Sequence, residues 1–190
     1  MLEFISRIFG KDVVTIETLA ESIAEVSMIC GQTFVSNMAK DDNGNVTSTS
    51  VSVAFATNEY LYFLLHYVNR LAFAIGGIAS QNKICDEVFG YAAAKLTMSL
   101  PEKSRSDCLS MLLEGMNEAE REYSKCKRLT PEGDEGAKGT LFWEASKRIS
   151  ASAGGGMDIR NIIVATEAIS AALSSLKLEG KIKKLVKGHV

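Results

Sequence analysis

Proline is nearly absent. The chain has only Pro101 and Pro131, so long stretches are free of the residue that most reliably breaks a helix. Histidine is as scarce, with His66 and His189 alone. Cys30, Cys85, Cys108 and Cys126 lie far apart and form no CxxC pair, so the close Cys/His spacing of a zinc site is missing. The four read as small core hydrophobes of an intracellular protein. A di-iron bundle needs Glu-x-x-His on two helices and glutamates on two more. Glu59 is followed at the third position by Tyr62, which excludes that class. No metal and no cofactor is expected.

Other signatures are missing as well. "SAGGGMD" before a helix resembles a phosphate-cradling turn, but the GxxxxGK[ST] spacing, its lysine and a preceding strand are lacking. It reads as a tight helix–helix connection. Asp41, Asn43 and Asn45 alternate as in a calcium loop, yet the glycine and glutamate of an EF-hand fall out of register. No Gly-x-Ser-x-Gly elbow is present. The net charge of −2 gives no overall pull toward nucleic acid. "MLEFISRIFGKD" lacks a basic start and does not read as a secretory signal. The most apolar run, 51–78, is interrupted by Asn58, Glu59, His66, Asn69 and Arg70, which a bilayer tolerates only at high cost. The expected location is cytoplasmic.

What is present is helical periodicity. The 190 residues with 46% hydrophobic content suit one domain with its own core. Leu19, Ile23, Val26, Cys30, Phe34 and Met38 predict a helix over 19–39, capped by Thr18 with Glu21 reaching back. Further helices are expected over 51–79, bending or ending at Gly76-Gly77, and over 81–98. "SLPE" predicts a start capped by Ser99, with the helix continuing to about 128 and Cys108, Met111, Leu112 and Met116 or Ala119 inward. A short helix over 141–153 and a long one capped by Asp158, with Ile162, Thr166, Ile169, Leu173 and Leu176 inward, complete the set. Asn43-Gly44 makes a small β-hairpin near 41–54 the alternative to a loop. The fold class is therefore all-α: a single-domain antiparallel bundle or irregular array of about six helices over 1–190. It includes a short amphipathic N-terminal segment (1–11) and a basic C-terminal tail (180–190). From Lys177 onward five lysines face one glutamate, about +4, leaving about −6 for the rest. The tail reads as a solvated helix end complementing its dipole, so membrane contact by the termini is not favoured.

The segment "NEYLYFLLHYVNR" carries the chemistry. At about 100° per residue, Leu61, Leu64, Leu65, Val68, Leu71 and Ile75 form one aliphatic face. Phe55, Glu59, Tyr62, Phe63, His66, Arg70 and Phe73 share the opposite face, with Asn69 at its edge. Such a face can be a structural polar network, a subunit interface or a ligand pocket. Glu59 lies two turns before His66, on the order of 10 Å away, so the two do not form an acid–base pair within the helix. His66 and Arg70, one turn apart, can address one anion. The candidate ligand or interface residues are Glu59, Tyr62, Phe63, His66, Asn69, Arg70 and Phe73; no residue is nominated as catalytic. The expected function is a non-catalytic helical interaction or scaffold protein, homodimeric through this aromatic–polar face or a face of the last long helix. The alternative is a small-molecule sensor or carrier holding an acidic or aromatic ligand near His66 and Arg70.

Overall fold

The structure, a computed structural model, describes residues 14–38, 50–130 and 137–188. Among them are six helices and no strand: α1 (Ile16–Asn37), α2 (Ser50–Thr97), α3 (Glu102–Tyr123), α4 (Leu141–Ser152), α5 (Ile159–Leu176) and α6 (Leu178–Lys187). The chain is an all-α array. The amphipathic start, the Asn43-Gly44 turn and His189 lie outside the described residues. Residues 50–54, part of the alternative hairpin, are helical.

α1 starts one turn earlier than its sequence suggests. Thr15 caps it, accepting from the Thr18 amide at 3.1 Å, while the Thr18 hydroxyl accepts from the Thr15 amide at 3.0 Å. A threonine thus closes the capping box expected of Glu21. The earlier start brings Ile16 into the core with Leu19, Ala20 and Ile23.

α2 is the central element, packing against α1, α3, α4 and α6. It is two arms, 50–76 and 78–97, joined at Gly77, whose φ of 70° and ψ of −171° interrupt the helix. That combination is essentially restricted to glycine. The crossing with α1 is close: a Cβ on Gly31 would stand 2.4 Å from Thr57 Oγ1 and 2.8 Å from the Thr57 amide nitrogen. Both α2 and α5 contain windows long and apolar enough to cross a membrane by length and composition.

α3 departs most from expectation. Pro101, not Ser99, occupies the N-cap position, and no side chain caps it. The first half, 102–111, has no fully buried residue, and Met111 is exposed rather than inward; Leu112, Ala119 and Tyr123 make the core contacts. The helix ends at Tyr123 instead of about 128: the chain turns there, with the Lys125 and Cys126 amides donating back to the Glu122 and Tyr123 carbonyls at 3.2 and 3.0 Å. α4 and α5 are joined through the three glycines by a tight link. Ser150 donates to the Gly156 carbonyl at 2.8 Å and Asn161 to that of Gly155 at 3.3 Å. Asp158 caps α5 as expected. The basic stretch after Gly180 belongs largely to α6, which buries Leu178, Ile182 and Leu185.

Candidate functional site

The aromatic–polar row of α2 points mostly into the protein. Glu59, Tyr62, Phe63 and His66 are buried, Asn69 and Arg70 are half-buried, and Phe55 and Phe73 are exposed. α3 and α4 cover the row. Phe63 meets Phe142 of α4 edge-on at 5.6 Å, and Tyr62 passes beneath α3 at Gly115, where a Cβ would lie 2.4 Å from its hydroxyl.

Two polar clusters form on this row. In the first, His66 Nδ1 lies 2.5 Å from Glu120 Oε2, and Arg70 Nε donates to His66 Nε2 at 2.8 Å. Guanidinium nitrogens only donate, so Nε2 is the acceptor and Nδ1 carries the proton that it gives to Glu120. Arg70 Nη2 donates to the Tyr123 carbonyl at 2.9 Å and to that of Cys126. An arginine at helix-end carbonyls satisfies acceptors the helix itself leaves open. Asn69 extends the cluster across the kink: its Oδ1 accepts from Gln81 at 2.6 Å and from the Cys85 thiol at 3.5 Å, and its Nδ2 donates to Glu120 at 3.4 Å.

In the second cluster Arg148 of α4 grips both oxygens of Glu59, at 2.8 and 3.0 Å, and reaches Glu122 at 2.9 Å. Burial raises the Glu59 carboxyl above its ordinary value, and the Arg148 fork works against that rise. Glu59 and His66 are thus placed in separate clusters. The rings of Tyr123 and His66 lie 5.4 Å apart. The Tyr123 and Tyr60 hydroxyls, both buried, have no hydrogen-bond partner among the described residues.

Chemically the first cluster is closed. A carboxylate holding an imidazole by Nδ1 is the orienting half of a catalytic triad. Here the guanidinium of Arg70 occupies the place where a nucleophilic hydroxyl would accept the help of Nε2. Glu120, Glu122 and Arg148 belong to the site although no periodicity or motif in the sequence marks them. The sequence carries no signal for the two glutamates, since a helix running to about 128 leaves them short of its last turn; with the end at Tyr123 they oppose the helix dipole, and both find cationic or donor partners from other helices.

A different feature is open. α1 and α5 flank an apolar groove of about 270 Å³ with Ile29, Cys30 and Phe34 on one wall and Val164, Ala168 and Ala172 on the other. Cys30 is buried there, which pushes its thiol up to about 12. Elsewhere, at the start of α5 and just before it, Met157, Ile159 and Ile163 are at least half exposed. No metal-binding group of three or more His, Cys, Asp or Glu side chains occurs among the described residues. Set against protein-family models, curated proteins and solved structures, the chain matches none.

Proposed function

We propose that this protein is a non-catalytic helical interaction module whose binding face is the α1–α5 groove. The carrying observation is the contrast between the two candidate surfaces. The aromatic–polar row is covered by helices of the same chain, and both His66 ring nitrogens are engaged within it. The apolar α1–α5 groove has Ile29, Thr33 and Ala168 partly exposed and Ala171 exposed along it, with Val26, Cys30, Phe34 and Ala172 buried beneath. Association of two copies through Glu59, Tyr62, Phe63 and His66 is therefore not part of this reading, nor is a ligand bridging His66 and Arg70. The proposal takes the protein as soluble and cytoplasmic, because Asn58, Glu59, His66, Asn69 and Arg70 interrupt its longest apolar run.

Native mass spectrometry of the protein from its own source tests the reading. The wild-type chain should carry an additional bound mass that Ala171→Phe, a plug at the groove, removes. Bare chains for both forms would overturn it.

A further inference from the structure

We infer that His66 and Arg70 form an acid-released latch on the turn that joins α3 to α4. The chemistry of the pair carries it. Arg70 Nε donates to His66 Nε2 at 2.8 Å, while Glu120 engages Nδ1 at 2.5 Å. A guanidinium has hydrogens to give and no lone pair to receive one. The bond therefore exists only while Nε2 is bare. A proton taken from water at Nε2 makes the imidazole a cation with a donor on each nitrogen. The Arg70 Nε–H then faces an N–H instead of a lone pair. Arg70 keeps its own charge, so repulsion is added to the lost bond. The bound proton and the present place of Arg70 exclude each other.

The other end of the same side chain sets what is released. Arg70 Nη2 donates to the carbonyls of Tyr123 and Cys126, and Nε and Nη2 belong to one rigid planar fork. Backing away from the imidazole therefore withdraws the donor from the turn. The Cys126 carbonyl loses it, while that of Tyr123 keeps the Cys126 amide at 3.0 Å. Just beyond, the Arg128 and Leu129 carbonyls accept from the Leu141 and Phe142 amides at 2.9 and 3.0 Å, so the turn ties the end of α3 to the start of α4. The sign follows from proton counting: the released form binds one proton more, so falling pH favours release. Around the imidazole, Glu120 of α3 favours the cation and Arg70 opposes it. The Tyr123 ring lies 5.4 Å away, and Cys85 reaches the cluster through Asn69. Burial raises the Tyr123 hydroxyl well above its ordinary range and pushes the Cys85 thiol up to about 12, so neither changes charge in acid. Of the α4 charges, Arg148 is held by Glu59 and Glu122, and Lys147 by Glu144 at 2.6 Å.

The test is nuclear magnetic resonance of the nitrogen-labelled full chain, taken from about pH 7 to about pH 5, the range in which histidine changes charge. Three signals are followed: the ring nitrogens of His66, the Arg70 Nε–H, and exchange of the Cys126, Leu141 and Phe142 amides, corrected for its intrinsic pH dependence. His189→Gln assigns the other histidine. At the upper pH, Nδ1 should carry the proton and Nε2 should be bare. On acidification Nε2 should gain its proton, the Arg70 signal should shift, and the three amides should exchange about tenfold faster, the loss of one charged hydrogen bond. All three changes should share one midpoint. Glu120→Gln keeps an oxygen for Nδ1 but removes the charge, so the same coupled change should come at lower pH. In Arg70→Ala the amides should already exchange fast at the upper pH, with no further acid response; the wild-type reading stands by itself if that variant does not fold. Protonation of Nε2 with Arg70 and the amides unmoved overturns the latch, as does an imidazole that stays neutral until the protein unfolds. Amides that loosen while Nε2 is still bare assign the effect to a carboxylate, Glu120 or Glu59, and overturn it equally.

Discussion

Arg70 does three jobs with one side chain: it fixes the tautomer of His66 and satisfies the carbonyls of both Tyr123 and Cys126. Removing it takes the donor from the Cys126 carbonyl and from His66 Nε2, at about 1–3 kcal/mol for each group left unsatisfied, while the Tyr123 carbonyl keeps the Cys126 amide at 3.0 Å. Arg70→Ala should therefore destabilise by roughly 3 kcal/mol, measured by urea unfolding. Arg70→Lys should not restore the loss, because one ammonium cannot span the planar fork's directions. Recovery by lysine would show that charge alone matters there. Cys30 makes a pH prediction. Its thiol is raised by burial to about 12, while an unfolded cysteine titrates near 8.5. A raised acid contributes fully below its unfolded value and loses that contribution as pH rises toward the folded one. Unfolding midpoints should fall from about pH 8.5 upward, with a shallower alkaline slope in Cys30→Ala; identical slopes would count against this account. At this scale the sequence was legible in part. The wheel grouped Glu59, His66 and Arg70 on one face and separated Glu59 from His66. Their partners were hidden, since Glu120 and Arg148 lie 54 and 89 residues away from the groups they bind, and only packing brings them close.

Helices were the most readable units, because apolar spacing of three and four reports the buried face directly. Their ends were less so. α1 is capped by Thr15 because burying Ile16 favours the earlier start, and α3 stops at Tyr123, whose carbonyl accepts from the Cys126 amide as well as from Arg70. The kink at Gly77 was announced by two adjacent glycines, and Asn69 bridges it to Gln81 and Cys85. The Gly31–Thr57 crossing left no trace in periodicity, because a glycine inside a helix pattern does not say what approaches it. There, Gly31→Ala should destabilise by about 1–3 kcal/mol through overpacking. Better helix propensity offsets at most about 1 kcal/mol. The close contact is to backbone as well as to the Thr57 hydroxyl, so Thr57→Ser should not rescue it. A more stable Gly31→Ala would mean that the two helices stand farther apart.

Across the whole molecule, burial is uneven. Tyr60 through Leu65 are all buried, whereas 102–111 contains no fully buried residue. Stability should follow the same division. Native-state hydrogen exchange should find amides of 60–68 among the slowest and those of 104–111 among the fastest helical ones; uniform protection would contradict it. The all-α class and the number of helices were readable because propensity and pattern agree along the chain. The groove was not, since it arises from small residues on α5 meeting larger ones on α1, a pairing no single segment contains. The hold of Arg70 on the end of α3 carries a consequence for biosynthesis. The arginine precedes the Tyr123 carbonyl it binds by 53 residues, and chains emerge from the ribosome N-terminus first. The donor for the end of α3 is thus already synthesised when that helix is translated, and no later segment of the chain is needed to supply it.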